Sequence, residues 1–134
     1  MLIKQIQIPV NLSHSIAYFY LRNNPELIGL NKIKSELLNE GAHRTHDLLY
    51  GFNNSTRIEV KATGTSNFQR FRQKAISSDL VIWLNIYKNK TLDIATFNPS
   101  ILNAQDRIEI AIDWKEIIEM DGVTLIKKLS LMEI

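Results

Sequence analysis

Apolar and polar positions along this chain repeat with two different periods, and the changes between them mark out the elements. Leu2 to Val10 reads as a strand with Leu2, Ile6, Ile8 and Val10 on one face, and Pro9 places it near an edge or its end. Ser13 then caps a short helix through Tyr20. A clearer helix opens with Asn24 as N-cap, Pro25 in the first helical position and Glu26 in the first turn. Leu27, Leu30, Ile33, Leu37 and Leu38 recur along it at helical spacing, and Gly41 ends it. Residues 43–50 and 56–63 pattern as two arms of a hairpin. Between them lies Gly51-Phe52-Asn53-Asn54-Ser55, rich in turn formers. After a polar loop from Thr63 to Asn67, Phe68 to Ser77 reads as a helix with Phe68, Phe71 and Ala75 inward. Asp79 to Tyr87 is almost all apolar, which predicts a central strand buried on both faces. Lys88-Asn89-Lys90 turns the chain into a strand from Thr91 to Phe97, and Arg107 to Ile112 alternates as another. Asp113 caps a last helix through Met120, broken at Asp121-Gly122. The pattern from Val123 to Ile134 fits strand and helix equally. This succession predicts an α/β fold, a mixed β-sheet flanked by helices, in one domain spanning residues 1–134.

Composition narrows the chemistry. With 45% hydrophobic residues the chain can bury a core without staples. It has no cysteine, which excludes disulfides, thiolate zinc sites and thiol nucleophiles and suits a cytoplasmic protein. No apolar run approaches the roughly 20 residues of a membrane span, and Lys4, Gln5 and Gln7 interrupt what would be a signal peptide. The net charge of +2 and pI near 8.9 are too mild to argue for nucleic acid. A polyanionic partner must be argued from where the charges lie.

The hairpin holds the most informative charges. Residues i and i+2 of a strand share a face, so Glu59 and Lys61 point one way while Ile58 and Val60 point into apolar packing. If the chain reverses about Asn53, Asp47 stands opposite Glu59, with Cβ atoms roughly 5 Å apart. Two carboxylates that close repel unless a cation lies between them. A magnesium ion, or manganese in its place, fits that gap, and Lys61 adds an ammonium beside it. That arrangement suits hydrolysis of a phosphodiester. The bland reading of Glu59-Val60-Lys61 is an exposed ion pair on a sheet face. It fares poorly for a strand placed inside the sheet, where unpaired charge is costly. Asp113-Trp114-Lys115 has the same spacing, but an N-cap aspartate explains it.

Asp47 followed by Glu59-x-Lys61, after a helix ending in glycine and before a helix carrying glutamine, resembles the PD-(D/E)xK superfamily of restriction-endonuclease-like nucleases. The likeness spans roughly residues 25–97. His46 stands where the family places proline. His46-Asp47 is superficially similar to histidine–aspartate phosphohydrolases, but those need a helix and further ligands that this chain lacks.

The resemblance implies a restriction-endonuclease-like fold and magnesium-dependent cleavage of DNA. Asp47 and Glu59 would hold the metal, and Lys61 would orient or deprotonate the attacking water. Glu26 is the candidate for an added acid from the first helix, although the helix dipole alone explains a first-turn acid. Gln69 is the candidate for a glutamine that contacts the scissile phosphate or the water. Arg70, Arg72 and Lys74, with Arg57, Thr65 and Asn67, supply local positive charge and hydrogen-bond donors suited to a DNA backbone. Taken singly, each is as well explained by a solvated face. A homodimer or a partner subunit would supply specificity and the second cut. A Holliday-junction resolvase is the neighbouring alternative, and a non-catalytic module binding DNA or protein is the alternative from another class.

Overall fold

The computed structural model describes residues 10–23, 37–39, 47–50, 56–64, 68–87, 89–104 and 109–130. Helix α1 (Val10–Asn23) comes first, then strands β1 (Leu37–Asn39), β2 (Leu48–Tyr50) and β3 (Thr56–Thr63). Strand β4 (Phe68–Arg72) runs directly into the single helical turn α2 (Gln73–Ile76). Strands β5 (Leu80–Ile86) and β6 (Thr91–Phe97) follow, then a 3-10 turn at Pro99–Leu102. Strand β7 (Glu109–Asp113), turn α3 (Trp114–Ile117) and strand β8 (Thr124–Ser130) complete the order. The fold is mixed α/β. One sheet has the order β1-β2-β3-β5-β6-β8, and β4 and β7 form a second.

The hairpin forms as its turn residues predict. Leu48 pairs with Ile58, Leu49 with Arg57 and Tyr50 with Thr56, a register centred on position 53. Strand β5 is parallel to β3 and antiparallel to β6. This central place accounts for its unbroken apolar run, buried from Val81 to Ile86. Parallel neighbours need a crossover. Here the crossover carries β4 and α2 back across the sheet.

The sheet separates two cores. On one face Ile16, Ala17, Tyr20 and Leu21 of α1 pack on Leu48, Ile58, Val60, Ile82 and Leu84. On the other, Phe71 and Ala75 from the crossover pack with Val81, Trp83, Phe97, Trp114 and Ile117. Trp83 lies edge-on to Phe71 and Trp114, with centroids 5.6 and 5.2 Å away. The same face carries a buried polar chain. Trp83 Nε1 donates to Thr63 Oγ1 (3.0 Å), which donates to Asn85 Oδ1 (2.9 Å). Asn85 Nδ2 donates to the Tyr87 hydroxyl (3.2 Å), which donates to Asp93 Oδ2 (2.7 Å). Burial and that carboxylate push the Tyr87 phenol up to about 12.

Several expectations are corrected. Ser13 lies inside α1 rather than capping it, and Val10 starts that helix. Leu37 and Leu38 belong to a strand, because a short apolar run reads either way until β2 supplies its partner. Phe68–Arg72 is a strand. Its alternation suits a sheet, and pairing with β7 from Phe68–Asp113 to Arg72–Glu109 overrides helical propensity. The last helix is one turn long, though Asp113 caps it as expected, accepting from Lys115 N at 3.0 Å. The undecided tail is β8 through Ser130. The first strand up to Pro9 and the helix opening at Asn24 lie outside the described residues.

Thr63→Val keeps the shape of Thr63 but removes the partner of two buried groups. It should lower the unfolding free energy by about 2 to 4 kcal/mol in urea titrations. A loss below ~0.5 kcal/mol would show that the polar chain contributes nothing.

Candidate active site

The site begins where β2 stops. Residues 58, 60 and 62 direct their backbone groups toward β2, but β2 pairs only as far as Ile58. Asp47 takes over at the bend before Leu48. Its N–H donates to Ile58 O (2.9 Å), and its Oδ2 accepts from Val60 N (2.8 Å). One strand step further, Gln69 Nε2 donates to Ala62 O at 2.8 Å. Two side chains thus satisfy backbone groups that a longer β2 would have paired.

The paired register ends at Leu48–Ile58, and the bend at Asp47, whose N–H also reaches Ile58 O, brings its carboxylate beside that of Glu59. Both carboxylates are buried, with 2% and 4% exposure. Glu59 lies level with Val81 and Lys61 with Trp83, so both charged residues look toward the β4–α2 layer. Lys61 Nζ lies 3.9 Å from Glu59 Oε1. The ammonium that reaches both acids is that of Lys74. It is 2.5 Å from Asp47 Oδ1 and 3.9 Å from Glu59 Oε2. From the opposite layer, α1 brings His14 Nε2 to 3.5 Å from Asp47 Oδ1. Among the described residues, His14 Nδ1 and Glu59 Oε2 are the buried side-chain atoms without a hydrogen-bond partner.

The two acids divide their charge. Burial pushes the Glu59 carboxyl up to about 8, and the neighbouring Asp47 adds to this; Lys61 and Lys74 oppose it without prevailing. Burial also acts to raise Asp47. Contact with the Glu59 carboxyl, the Lys74 ammonium, the Val60 N–H and His14 together outweigh that and hold it below the ordinary value. Burial lowers His14, with Asp47 opposing and Lys74 reinforcing, so its imidazole is neutral at pH 7.

The expected basic cluster is dispersed. Arg57 is tied to Asp79, with its N–H on Oδ2 at 2.8 Å and its Nε 3.7 Å away, and its guanidinium also donates to Ser77 O. Arg70 and Arg72 lie on a strand, not a helix, on the exposed side of β4 opposite Gln69 and Phe71; Arg72 pairs with Glu109 at 3.3 Å. Lys74 is turned inward to the acids. Glu26, Thr65 and Asn67 lie outside the described residues, as do His43 and His46. His14 escaped the sequence pattern, and Lys74, expected at a DNA backbone, is found on the acids instead. His14 sits on the same inward stripe as Ala17 and Leu21, so a polar residue in that stripe was its signal. Nothing local signalled that Lys74 would turn to the acids, because its approach depends on the crossover.

Among the described residues, no group of three or more His, Asp or Glu side chains is arranged to hold a metal ion. The donors are two buried carboxylates, one with an unpartnered oxygen. That set fits a hydrated magnesium or manganese ion, which commonly takes one or two carboxylates and completes its shell with water and phosphate oxygens. It does not fit a closed zinc cage. No known protein family, curated protein or solved structure matches the chain.

Glu59 makes stability depend on pH. Below its ordinary 4.5 the acid is protonated in the folded and unfolded chain alike. Between 4.5 and about 8 only the folded chain keeps the proton, so stability falls as pH rises through that window. His14 acts in the opposite sense just below 6.5, which leaves the decline clearest from 6.5 to 8. With metal chelated, wild-type melting temperature should drop across that range, and Glu59→Gln should flatten the profile. A level wild-type profile would contradict a protonated buried carboxyl.

Proposed function

We propose that this chain is a magnesium-dependent endonuclease hydrolysing DNA phosphodiester bonds, on a restriction-endonuclease-like fold. The observation that carries the reading is the meeting of Asp47 and Glu59, from the two arms of one hairpin, at a single ammonium. The mixed sheet with helix α1 packed on one face is in keeping with that fold.

Asp47 and Glu59 would hold the cation, with Oδ1 and Oε2 as donors. Held by these two carboxylates, a divalent ion would supply a lowered pKa for an attacking water and an offset to charge on the phosphate. Asp47 Oδ2 stays on Val60 N–H, which fixes the carboxylate plane against the sheet. Lys61, beside Glu59 and about a quarter exposed, would stabilise charge at the attacked phosphate. Gln69 acts through position, because its amide nitrogen is engaged by Ala62. One site per chain cuts one strand, so a two-fold pair of chains, or a partner subunit, serves double-strand cleavage.

A second reading is a non-catalytic module binding DNA or protein. Lys74 favours it, since it gives the acids a counter-charge without any metal. Supercoiled plasmid and four-way junctions, each with magnesium or with chelator, separate the readings. Metal-dependent plasmid cuts at fixed positions support the nuclease, and symmetric junction cuts support a resolvase on the same chemistry. Lys61→Ala should slow cutting by ~10²-fold or more while metal binding persists. No cleavage of either substrate, with stability unchanged by magnesium, would support the module instead.

A further inference from the structure

We propose that Lys74 is a tethered counter-ion that competes with a divalent cation for the Asp47–Glu59 pair, an inference that rests on the nuclease reading above. Of the two lysines at the site, only Lys74 reaches both acids. Lys61 lies 3.9 Å from Glu59 alone. Among the described residues, the ammonium touches Asp47 Oδ1 and is the nearest cation to the otherwise unpartnered Glu59 Oε2, the two oxygens a metal would use.

An ammonium and a divalent ion can share a carboxylate oxygen only by standing close to one another. At the ~4 Å separation such sharing would impose, like charges repel strongly in a buried setting. Entry of the cation is therefore opposed by the seated Lys74 side chain and favoured by its leaving. The backbone beneath it need not move. Ala75 is buried, Ser78 Oγ donates to Ala75 O at 2.7 Å, and Ser77 Oγ donates to Lys74 O at 3.3 Å. The lysine side chain is 27% exposed, so its flexible stem has an open side toward which to turn. Once displaced, the ammonium remains beside the site and faces any phosphate the cation carries. Metal entry and anion recognition are thereby linked through one side chain.

The test is binding of Mn2+ alone to the full chain at pH 8, followed by electron paramagnetic resonance of the free ion. Lys74→Met should bind Mn2+ at least ~10-fold more tightly than wild type. Lys61→Met, which removes a nearby charge but not the competitor, should change affinity less than ~3-fold. Lys74→Gln keeps a donor for Asp47 and replaces the Met variant should the latter fail to fold; it should also bind more tightly. Equal or weaker binding by the Lys74 variants, with wild type binding normally, overturns the inference and leaves the nuclease reading standing. Binding by the variants but not by wild type up to millimolar Mn2+ supports the inference and overturns the nuclease reading. Binding by none of these proteins overturns both.

Discussion

The hydrogen bond from Val60 N–H to Asp47 Oδ2 is the contact on which the rest of the site depends. A strand inside a sheet must find partners for its backbone groups, and β3 outruns β2 by several residues on that side. Had β2 continued, backbone would have filled the gap and no carboxylate could stand there. Because it stops, a side chain takes the ladder position, and the acid is drawn to the middle of the fold rather than to its surface. Burial then does the chemical work. It forces one of two adjacent acids to keep its proton and makes the other dependent on a counter-charge.

Both layers of the fold serve this one place. Helix α1 delivers His14 from one side, and the crossover between the parallel strands β3 and β5 delivers Gln69 and Lys74 from the other. The crossover exists because parallel strands cannot be joined by a tight turn. The same requirement that fixes the topology therefore brings a cation to the acids. The aromatic cluster around Trp83 holds the crossover down, and the polar chain through Thr63 and Asn85 anchors the far end of β3.

The hairpin and the central strand were legible from sequence, because turn formers and an apolar run are local signals. That Asp47 and Glu59 would lie near one another followed from the turn centre, but the bend that takes Asp47 out of the strand ladder did not. The crossover was not legible. Phe68-Gln69-Arg70-Phe71-Arg72 satisfies a helical pattern as well as a strand, and only β7, forty residues away in sequence, decides between them. That single misreading has a long reach. It places Arg70, Arg72 and Lys74 on one helix, whereas the strand turns the arginines outward and the following turn sends the lysine inward. Leu37 and Leu38 fail for a similar reason, since their partner strand β2 lies further along the chain.

The central claim is that Asp47 and Glu59 form one cation site at the end of β2. A crystal of the protein soaked in manganese, with anomalous scattering recorded at the metal edge, examines it most directly. The account predicts a single strong anomalous peak between the two carboxylates, with the Lys74 ammonium turned away from them. Density showing Lys74 still seated on both acids and no peak between them, at manganese concentrations that saturate other surface sites, would contradict it.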